Sequence, residues 1–491
     1  MEIRDVIHGS IVISRTELPI IDSLFFQRLR QIKQLGFAEY SFPTATHNRY
    51  VHSLGAMETA TKAFDTVFGG PRSSGGFTPD RLRLFETYHK SHARFRAVVR
   101  LAALLHDIGH GPLSHTTEFA MPELKKLAIP QPPAGAKAAV GKTKPTSSRQ
   151  ATHEDYTLKI ILDSPLTKLI ETAGAQNGFT PWHVASLITN QFDSYTDNDD
   201  FFFETIDGSS SSSGSSERID FRPILSQLIS SELDADRMDY LRRDSYFAGV
   251  SYGQFDFDWL LGNLSCHIKH SKCYLALQHR ALYSFEDFLL SRYHMFLMVY
   301  FHYKSVVYDA MLGQYLGSDK CEYVLPADIE KYGECNDAHL YSHLNQSKNI
   351  WARRIIEKRP YRMLAELHSG IPATKMATNE QARLLSKIEK DLKAQEIHSI
   401  QATSTGEVSK YFRKPGHPIF VRYDNHYSAV SFIPLEQCTD LYTKYSEKRS
   451  ITRLYVPPER FHECRYQGRN APLKYEDAND SEEGLELFKH V

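Results

Sequence analysis

At 491 residues the chain is too long for one ordinary core, which predicts two domains or one large domain with insertions. Charge is balanced, 58 Lys and Arg against 59 Asp and Glu, so overall basicity lends nothing to nucleic-acid or anionic-membrane binding; only local patches stay open. No apolar run approaches the ~20 residues that span a bilayer, which predicts no membrane partner. The opening MEIRDVIHGS lacks the apolar core of a signal peptide, so a cytoplasmic protein is expected, with the nucleus open in a eukaryote. Six cysteines (Cys266, Cys273, Cys321, Cys335, Cys438, Cys464) show no CxxC spacing and read as reduced thiols. The 23 histidines invite metal or phosphate chemistry.

In chain order, residues 3–14 read as a short strand pair or an extended arm. Apolar positions 21, 24, 25, 29, 32 and 35 give helical spacing over 20–36, with Gly36 as a C-cap. Thr46 or Asn48 could cap the next helix, whose inward face carries Tyr50, Leu54, Met57 and His52. A buried helix over 93–107 delivers LAALLHDIGHGPLSH, where His106 and Asp107 stand just before Gly109, Gly111 and Pro112 unwind it. Neighbouring helical side chains diverge by about 100°, so an unwinding end is where one metal is most easily shared by both. His110 and His115 add two imidazoles to the same segment.

Two low-complexity inserts follow, at 128–150 and 192–217, and read as surface loops or gates. Helical patterning resumes over 221–243 and over 283–313, where the segment is apolar on nearly every face. In the former, Asp236, Asp239, Tyr240 and Asp244 form a polar stripe. That stripe suits either a solvated acidic face, with Leu233, Met238 and Leu241 inward, or part of a site. Beyond 320, WARRIIEKRPYRMLAEL and QARLLSKIEKDLKAQ read as amphipathic helices, and PIFVRYDNHYSAVSFIPL and RSITRLYVPPERF as strands. The predicted division is therefore a domain over 1–319 and an α+β accessory or oligomerisation region over 320–491, without internal repeats.

The motifs QRLRQIKQLG, FPTATHNRYVHSLG, LLHDIGHGPLSH, THE and LDADRMDYLRRD stand in an H…HD…D order. Over roughly 1–315 they resemble the HD-domain phosphohydrolase superfamily. The likeness is strongest to the sterile-alpha-motif-and-HD-domain deoxynucleoside triphosphate triphosphohydrolases and their bacterial relatives, with no sterile-alpha-motif module apparent here. The resemblance implies a mainly α fold with a helical HD core and a smaller α+β C-terminal region. It also implies metal ligands at His52, His106, Asp107 and Asp236, a donor set suited to Mn, Fe, Ni or Zn. A Mg²⁺ on the substrate phosphates is implied as well. His115 matches the catalytic His, supported by His110 and His153, with Glu154 in the carboxylate network that orients them. By residues alone, His153 reads more readily as an exposed loop residue.

For substrate, the resemblance assigns Arg49, Arg237 and Arg292 to phosphates and Tyr300 to phosphate and sugar. Tyr240 and Asp244 face the sugar, Tyr240 excluding a 2′-hydroxyl; Gln34 and Leu35 meet the 3′-hydroxyl and base. Arg237 replaces the Lys of animal members, and Phe301 replaces a Gln, which puts base contacts in doubt. Asp22, Gln27 and Arg30 match positions that hold an activating guanine nucleotide, GTP or dGTP, between subunits of a dimer or tetramer; an ordinary polar helix face is the alternative.

The expected activity is metal-dependent hydrolysis of deoxynucleoside triphosphates, dGTP among them, to deoxynucleoside and triphosphate. Alternatives are an HD phosphohydrolase acting on a monophosphate or cyclic nucleotide, and a nucleotide-gated nucleic-acid-binding scaffold. The scaffold would require a lost metal ligand, and all four are present; the absence of GYP argues against the cyclic-dinucleotide class.

Overall fold

The structure, a computed structural model, describes residues 1–70, 82, 84–131, 149–189, 200–207, 216–369, 375–406, 417–444 and 449–468. It divides into two compact units: residues 1–357 with 406–448, and residues 358–405 with 449–491.

The first unit opens on an antiparallel hairpin, β1 (Glu2–Asp5) and β2 (Gly9–Val12). Asp5 Oδ1 accepts the backbone N–H of Ile7 and His8, both at 2.9 Å, which fixes the turn. The continuous helix expected over 20–36 is absent. Helices Leu18–Ile21 and Leu24–Gln27 and a 3₁₀ turn Arg28–Gln31 replace it. Ser23 interrupts the helix: its Oγ donates to Ile20 O and accepts from Phe26 N–H, ending one helix and starting the next. Gly36, at φ +53°, begins a 3₁₀ turn instead of capping a helix.

Helix α1 (Arg49–Phe68) is capped by Asn48, whose Oδ1 accepts from Val51 N–H, and nearly every residue of it is buried. It packs against α2 (His89–Leu105), whose C-cap is His106. Gly109 then lets α3 (His153–Leu162) approach, because a Cβ there would lie 2.2 Å from His153 O. Helix α4 (Ala235–Ala248), capped by Asp234, also packs on α1. The apolar stretch over 283–313 is two helices, α5 (Leu282–Met295) and α6 (Tyr303–Leu316), joined by a π turn at Phe296–Tyr300.

Part of the second insert is structured. Strands Phe203–Asp207 and Ser216–Asp220 pair antiparallel, and Asp220 meets Lys272 in parallel. Strand Lys272–Gln278 pairs with Leu264–Lys269 and, in parallel, with Phe420–Tyr423, which carries Ser431–Pro434. The rest of that insert, and residues 132–148 of the first, lie outside the described residues.

The boundary expected at 319/320 is not observed, because residues 320–357 complete the first unit. Asp337 accepts the backbone N–H of Leu113 at 2.8 Å and of Lys33 at 3.0 Å, and Tyr332 Oη donates to Gly109 O at 2.7 Å. These late residues supply partners for Leu113 N–H and Gly109 O in the loop after His106, and for Lys33 N–H in the earlier turn.

The second unit is a three-stranded sheet in the order Arg362–Ser369, Arg449–Val456, Ile400–Gly406, with helices Lys375–Ala394 and Phe461–Gly468. Leu385, Leu392, Ile397, Leu454, Val456 and Phe461 form its core. The helix expected to run through WARRIIEKRPYRMLAEL stops at Ile356, and RMLAEL is strand. Lys358 at φ +55° and Pro360 prevent the helix from continuing. The chain is thus mainly α, with a helical core and a C-terminal sheet. All six cysteines are thiols outside any disulfide, and among the described residues no helix is long and apolar enough to cross a membrane.

Candidate functional site

His52, one turn into α1, is fully buried. Its Nδ1 bonds to Asp239 Oδ2 at 2.8 Å, so an Nδ1–H tautomer leaves the Nε2 lone pair facing Asp236 Oδ1 at 3.1 Å and Asp107 Oδ2 at 3.6 Å. His106, at the end of α2, follows the same logic. Nδ1 donates to Ala103 O at 2.7 Å, and Nε2 lies 3.5 Å from Asp236 Oδ1 and 3.4 Å from Asp107 Oδ1. Asp236 enters from the first turn of α4. One ligand atom each of His52, His106 and Asp236 lies within 4.8 Å of the others.

The buried Nε2 atoms of both histidines lack a hydrogen-bond partner among the described residues. Two buried lone pairs aimed at two carboxylates are what a divalent cation requires, and these residues could hold one. Burial disfavours charge on His52, but the carboxylates of Asp236 and Asp239 beside it override that and raise the ring to about 10; a dication would take the place of the proton that they favour at Nε2. Burial likewise opposes ionisation of Asp236, yet His106 and His52 hold its carboxyl well below the usual range. Asp107 is lowered too: Arg49, His106 and His110 together outweigh its burial.

Buried side chains behind His52 fix its ring. Asp239, fully buried, also takes His8 Nε2 at 2.6 Å and Arg243 Nε at 2.9 Å, and Arg243 reaches back to Asp5 at 2.7 Å. The N-terminal hairpin therefore holds the His52 imidazole through three side chains. The solvated alternative for the α4 stripe fails at Asp239 and Asp244, both buried.

Beside this cluster stand three more imidazoles. His110 stacks on His153 with centroids 3.9 Å apart, and His115 meets each edge-on at 4.9 Å. His110 Nε2 lies 3.3 Å from Asp107 Oδ1, so Asp107 touches both groups. Burial, with Arg49 and His153 nearby, pushes His110 well below the ordinary imidazole range and keeps it neutral. The carboxylate that serves His115 and His153 is Glu118, which accepts from both Nδ1 atoms. Despite partial burial, those hydrogen bonds hold Glu118 down at about 2. Glu154, expected in that role, is exposed: it sits in the first turn of α3, on the side facing solvent. Leu113 and Ser114, both at positive φ, bend the backbone into His115.

The other expected residues divide. Arg49 is buried and occupied by Asp107 and by Ser114 Oγ at 2.9 Å. Arg237 meets Glu232 at 3.1 Å, and Arg292 lies 3.9 Å from the same carboxylate. Tyr300 Oη donates to Asp244 Oδ2 at 2.7 Å, and Asp244 Oδ1 takes His47 Nε2 at 2.8 Å. His47 O accepts from Gln34 N–H at 3.0 Å, which brings the Gln34–Leu35 turn into the same network. Tyr240 lies edge-on to both His52 and Tyr300, at 6.4 Å each, and burial pushes its hydroxyl up to about 12. Away from these, Arg30 stacks 3.6 Å over Tyr50 and donates to Gln27, and Asp22 is exposed nearby. Sequence reading missed Glu118, although its i+3 spacing from His115 was a signal. It also missed His8, Asp5 and Arg243, for which no local signal exists.

Residues 49–176 match the family model described as HD domain. The chain carries an HD domain. The match takes in His52, His106, Asp107, His110, His115 and His153, and leaves Asp236 outside. The HD chain is 31% identical over 284 residues to an uncharacterized protein of Bacillus subtilis, 58% of this chain and 47% of that one. It is 29% identical over 303 residues to the deoxynucleoside triphosphate triphosphohydrolase SAMHD1 homolog of Dictyostelium discoideum, 61% of this chain and 46% of the relative. The chain spans about half the length of curated relatives it matches, 47%, 58% and 59% for three of them. Its fold is shared with a crystal structure of a hypothetical protein from Aquifex aeolicus, at TM-score 0.64 and 23% identity, covering 95% of this chain and 99% of that one.

Proposed function

We propose that this HD protein is a metal-dependent phosphohydrolase that cleaves deoxynucleoside triphosphates to deoxynucleoside and inorganic triphosphate. The observation that carries the reading is Asp107, whose Oδ2 lies 3.6 Å from His52 Nε2 and whose Oδ1 lies 3.4 Å from His106 Nε2 and 3.3 Å from His110 Nε2. A phosphate-activating site and an imidazole proton source are thereby neighbours.

His52, His106, Asp107 and Asp236 would hold a dication of the Mn, Fe, Ni or Zn class. Such an ion lowers the pKa of water and draws charge from a phosphate oxygen. His115, the exposed member of the trio, donates a proton to the departing 5′-oxygen, work suited to an imidazole near neutral pH. Glu118 keeps the Nδ1–H tautomer of His115 in place and stabilises its charged form. Arg237 and Arg292 favour the phosphates, with Mg²⁺ shared among them. Tyr240, Asp244 and Tyr300 face the sugar, the Tyr240 ring leaving no room for a 2′-hydroxyl. The name of the Dictyostelium relative supports this substrate class. Asp22, Gln27 and Arg30, gathered near Tyr50, take a guanine-nucleotide activator in a dimer or tetramer.

The test is product analysis: purified protein with Mn²⁺ or Mg²⁺ and each dNTP, with and without GTP, resolved by ion exchange. Deoxynucleoside plus intact triphosphate supports the proposal. Monophosphate plus pyrophosphate, or hydrolysis of only a monophosphate or cyclic nucleotide, overturns the assigned scissile bond or substrate.

A further inference from the structure

The two guanidiniums assigned to phosphate, Arg237 and Arg292, share one carboxylate. Glu232 stands in the turn before α4 and is buried, 3% exposed in its side chain against 23% for Arg237. Its Oε2 accepts from Arg237 Nη1 at 3.1 Å, and its Oε1 lies 3.9 Å from Arg292 Nη1. The second distance is an ion pair but too long for a hydrogen bond, and Oε1 is buried without a hydrogen-bond partner among the described residues. Arg237 also brings Nε to 3.6 Å from Asp234 Oδ2. Asp234, however, is committed to the start of α4, where it accepts from Ser231 N–H at 2.7 Å and from Arg237 N–H at 2.8 Å. Glu232 caps nothing. Its carboxylate serves the two arginines, with Arg237 on the more open side of it.

We propose that Glu232 is a positioning residue for triphosphate: its Oε2 holds Arg237 in place, and its charge cancels one of the two positive charges of the arginine pair. The proposal rests on the reading of Arg237 and Arg292 as phosphate ligands. Two uncompensated guanidiniums would hold substrate and released triphosphate alike, and binding of that uniform kind lowers KM without raising kcat. A buried carboxylate behind the pair keeps the fork of Arg237 aimed while reducing the field that a phosphate meets. The two effects separate by substitution. Glutamine has nearly the volume of glutamate and keeps an oxygen for Arg237, so it removes the charge alone. Alanine removes the charge and the hold together.

Calorimetric titration of the full chain with inorganic triphosphate in Mg²⁺ buffer tests this on wild type, Glu232→Gln, Glu232→Ala and Arg237→Ala. Glu232→Gln should bind triphosphate roughly three- to tenfold more tightly than wild type. Its KM for a dNTP should fall in step, with kcat no higher than wild type. Glu232→Ala should lose that gain, because Arg237 is no longer held, and Arg237→Ala should bind about tenfold more weakly than wild type. Equal or weaker binding by Glu232→Gln, with the loss in Arg237→Ala intact, would overturn the charge effect. Binding by Glu232→Ala as tight as by Glu232→Gln would overturn the hold on Arg237. No binding by wild type, or no loss in Arg237→Ala, would place phosphate elsewhere and overturn the phosphate reading together with the proposal. Absence of dNTP hydrolysis would defeat the assigned substrate, while the triphosphate titrations would still decide the role of Glu232.

Discussion

Asp239 accepts a hydrogen bond from Nδ1 of His52 at 2.8 Å, and neither side chain exposes any surface. Everything that turns His52 Nε2 toward Asp236 passes through this bond. Asp239→Asn should therefore weaken binding of the HD-site ion by roughly 10- to 100-fold. It should also destabilise the fold, because Arg243 loses a buried counter-charge. Titration calorimetry with Mn²⁺ checks the first effect, and unchanged affinity would dismiss Asp239 as a positioning residue.

Gly55 makes the same arrangement possible from α1. A Cβ at this position would stand 2.0 Å from Asp239 Oδ1 and 2.3 Å from Arg243 Nη2. Gly55→Ala should cost roughly 1–3 kcal/mol by overpacking and displace Asp239 from His52. Urea unfolding and metal content measured on one preparation would show both losses together. A stable variant with full metal content would mean that α4 can retreat.

What was legible in the sequence is what chain-local patterns encode. Asn48 caps α1 and His106 sits where α2 ends, because caps and apolar periods act over a few residues; the patterning over 221–243 does not reveal that α4 begins only at Ala235, after a separate helix Arg222–Gln227. Less was legible where a contact crosses the chain. His8 and Asp239 are 231 residues apart, and Leu113 and Asp337 are 224 apart, so no motif joins them. Local reading also misjudged 20–36, where Ser23 diverts the backbone, and RMLAEL, whose helical spacing yields to pairing with Arg449–Val456. Tertiary pairing overrides weak local preference there.

The two imidazole groups should separate by mutation. His106→Ala or Asp107→Ala should lose the HD-site ion and turnover while keeping most helical signal. His115→Ala should keep that ion and lose about 10²- to 10⁴-fold in rate, the usual contribution of a general acid. Metal analysis and dNTP turnover on the same samples decide it. Turnover surviving in His106→Ala would break the assignment of the HD cluster.

Glu118 and Glu154 offer a direct contrast. Glu118→Gln removes the charge that two imidazoles share, so turnover should drop by roughly 10- to 100-fold. Glu154→Gln changes an exposed side chain and should leave turnover within about twofold of wild type, as surface substitutions usually do. The reverse ranking in a steady-state assay would restore Glu154 to the network.

Asp309 carries a pH dependence of stability. It lies on α6, mostly buried, with Oδ1 accepting from Thr116 Oγ1 at 2.7 Å. Burial raises its carboxyl from 3.8 to about 6, against the lowering effect of that hydrogen bond. Because the folded value lies above the unfolded one, ionisation opposes folding. The cost begins as pH rises past 3.8 and is complete above about 6, reaching about 3 kcal/mol. Asp309→Asn keeps an acceptor for Thr116 and removes the charge. The variant should therefore be more stable than wild type at pH 8, and its advantage should shrink by about 1.4 kcal/mol at pH 5, where most of the folded wild type is protonated. Urea midpoints at the two pH values measure this, and a difference that does not change with pH would mean that Asp309 ionises as freely in the folded chain as in the unfolded one.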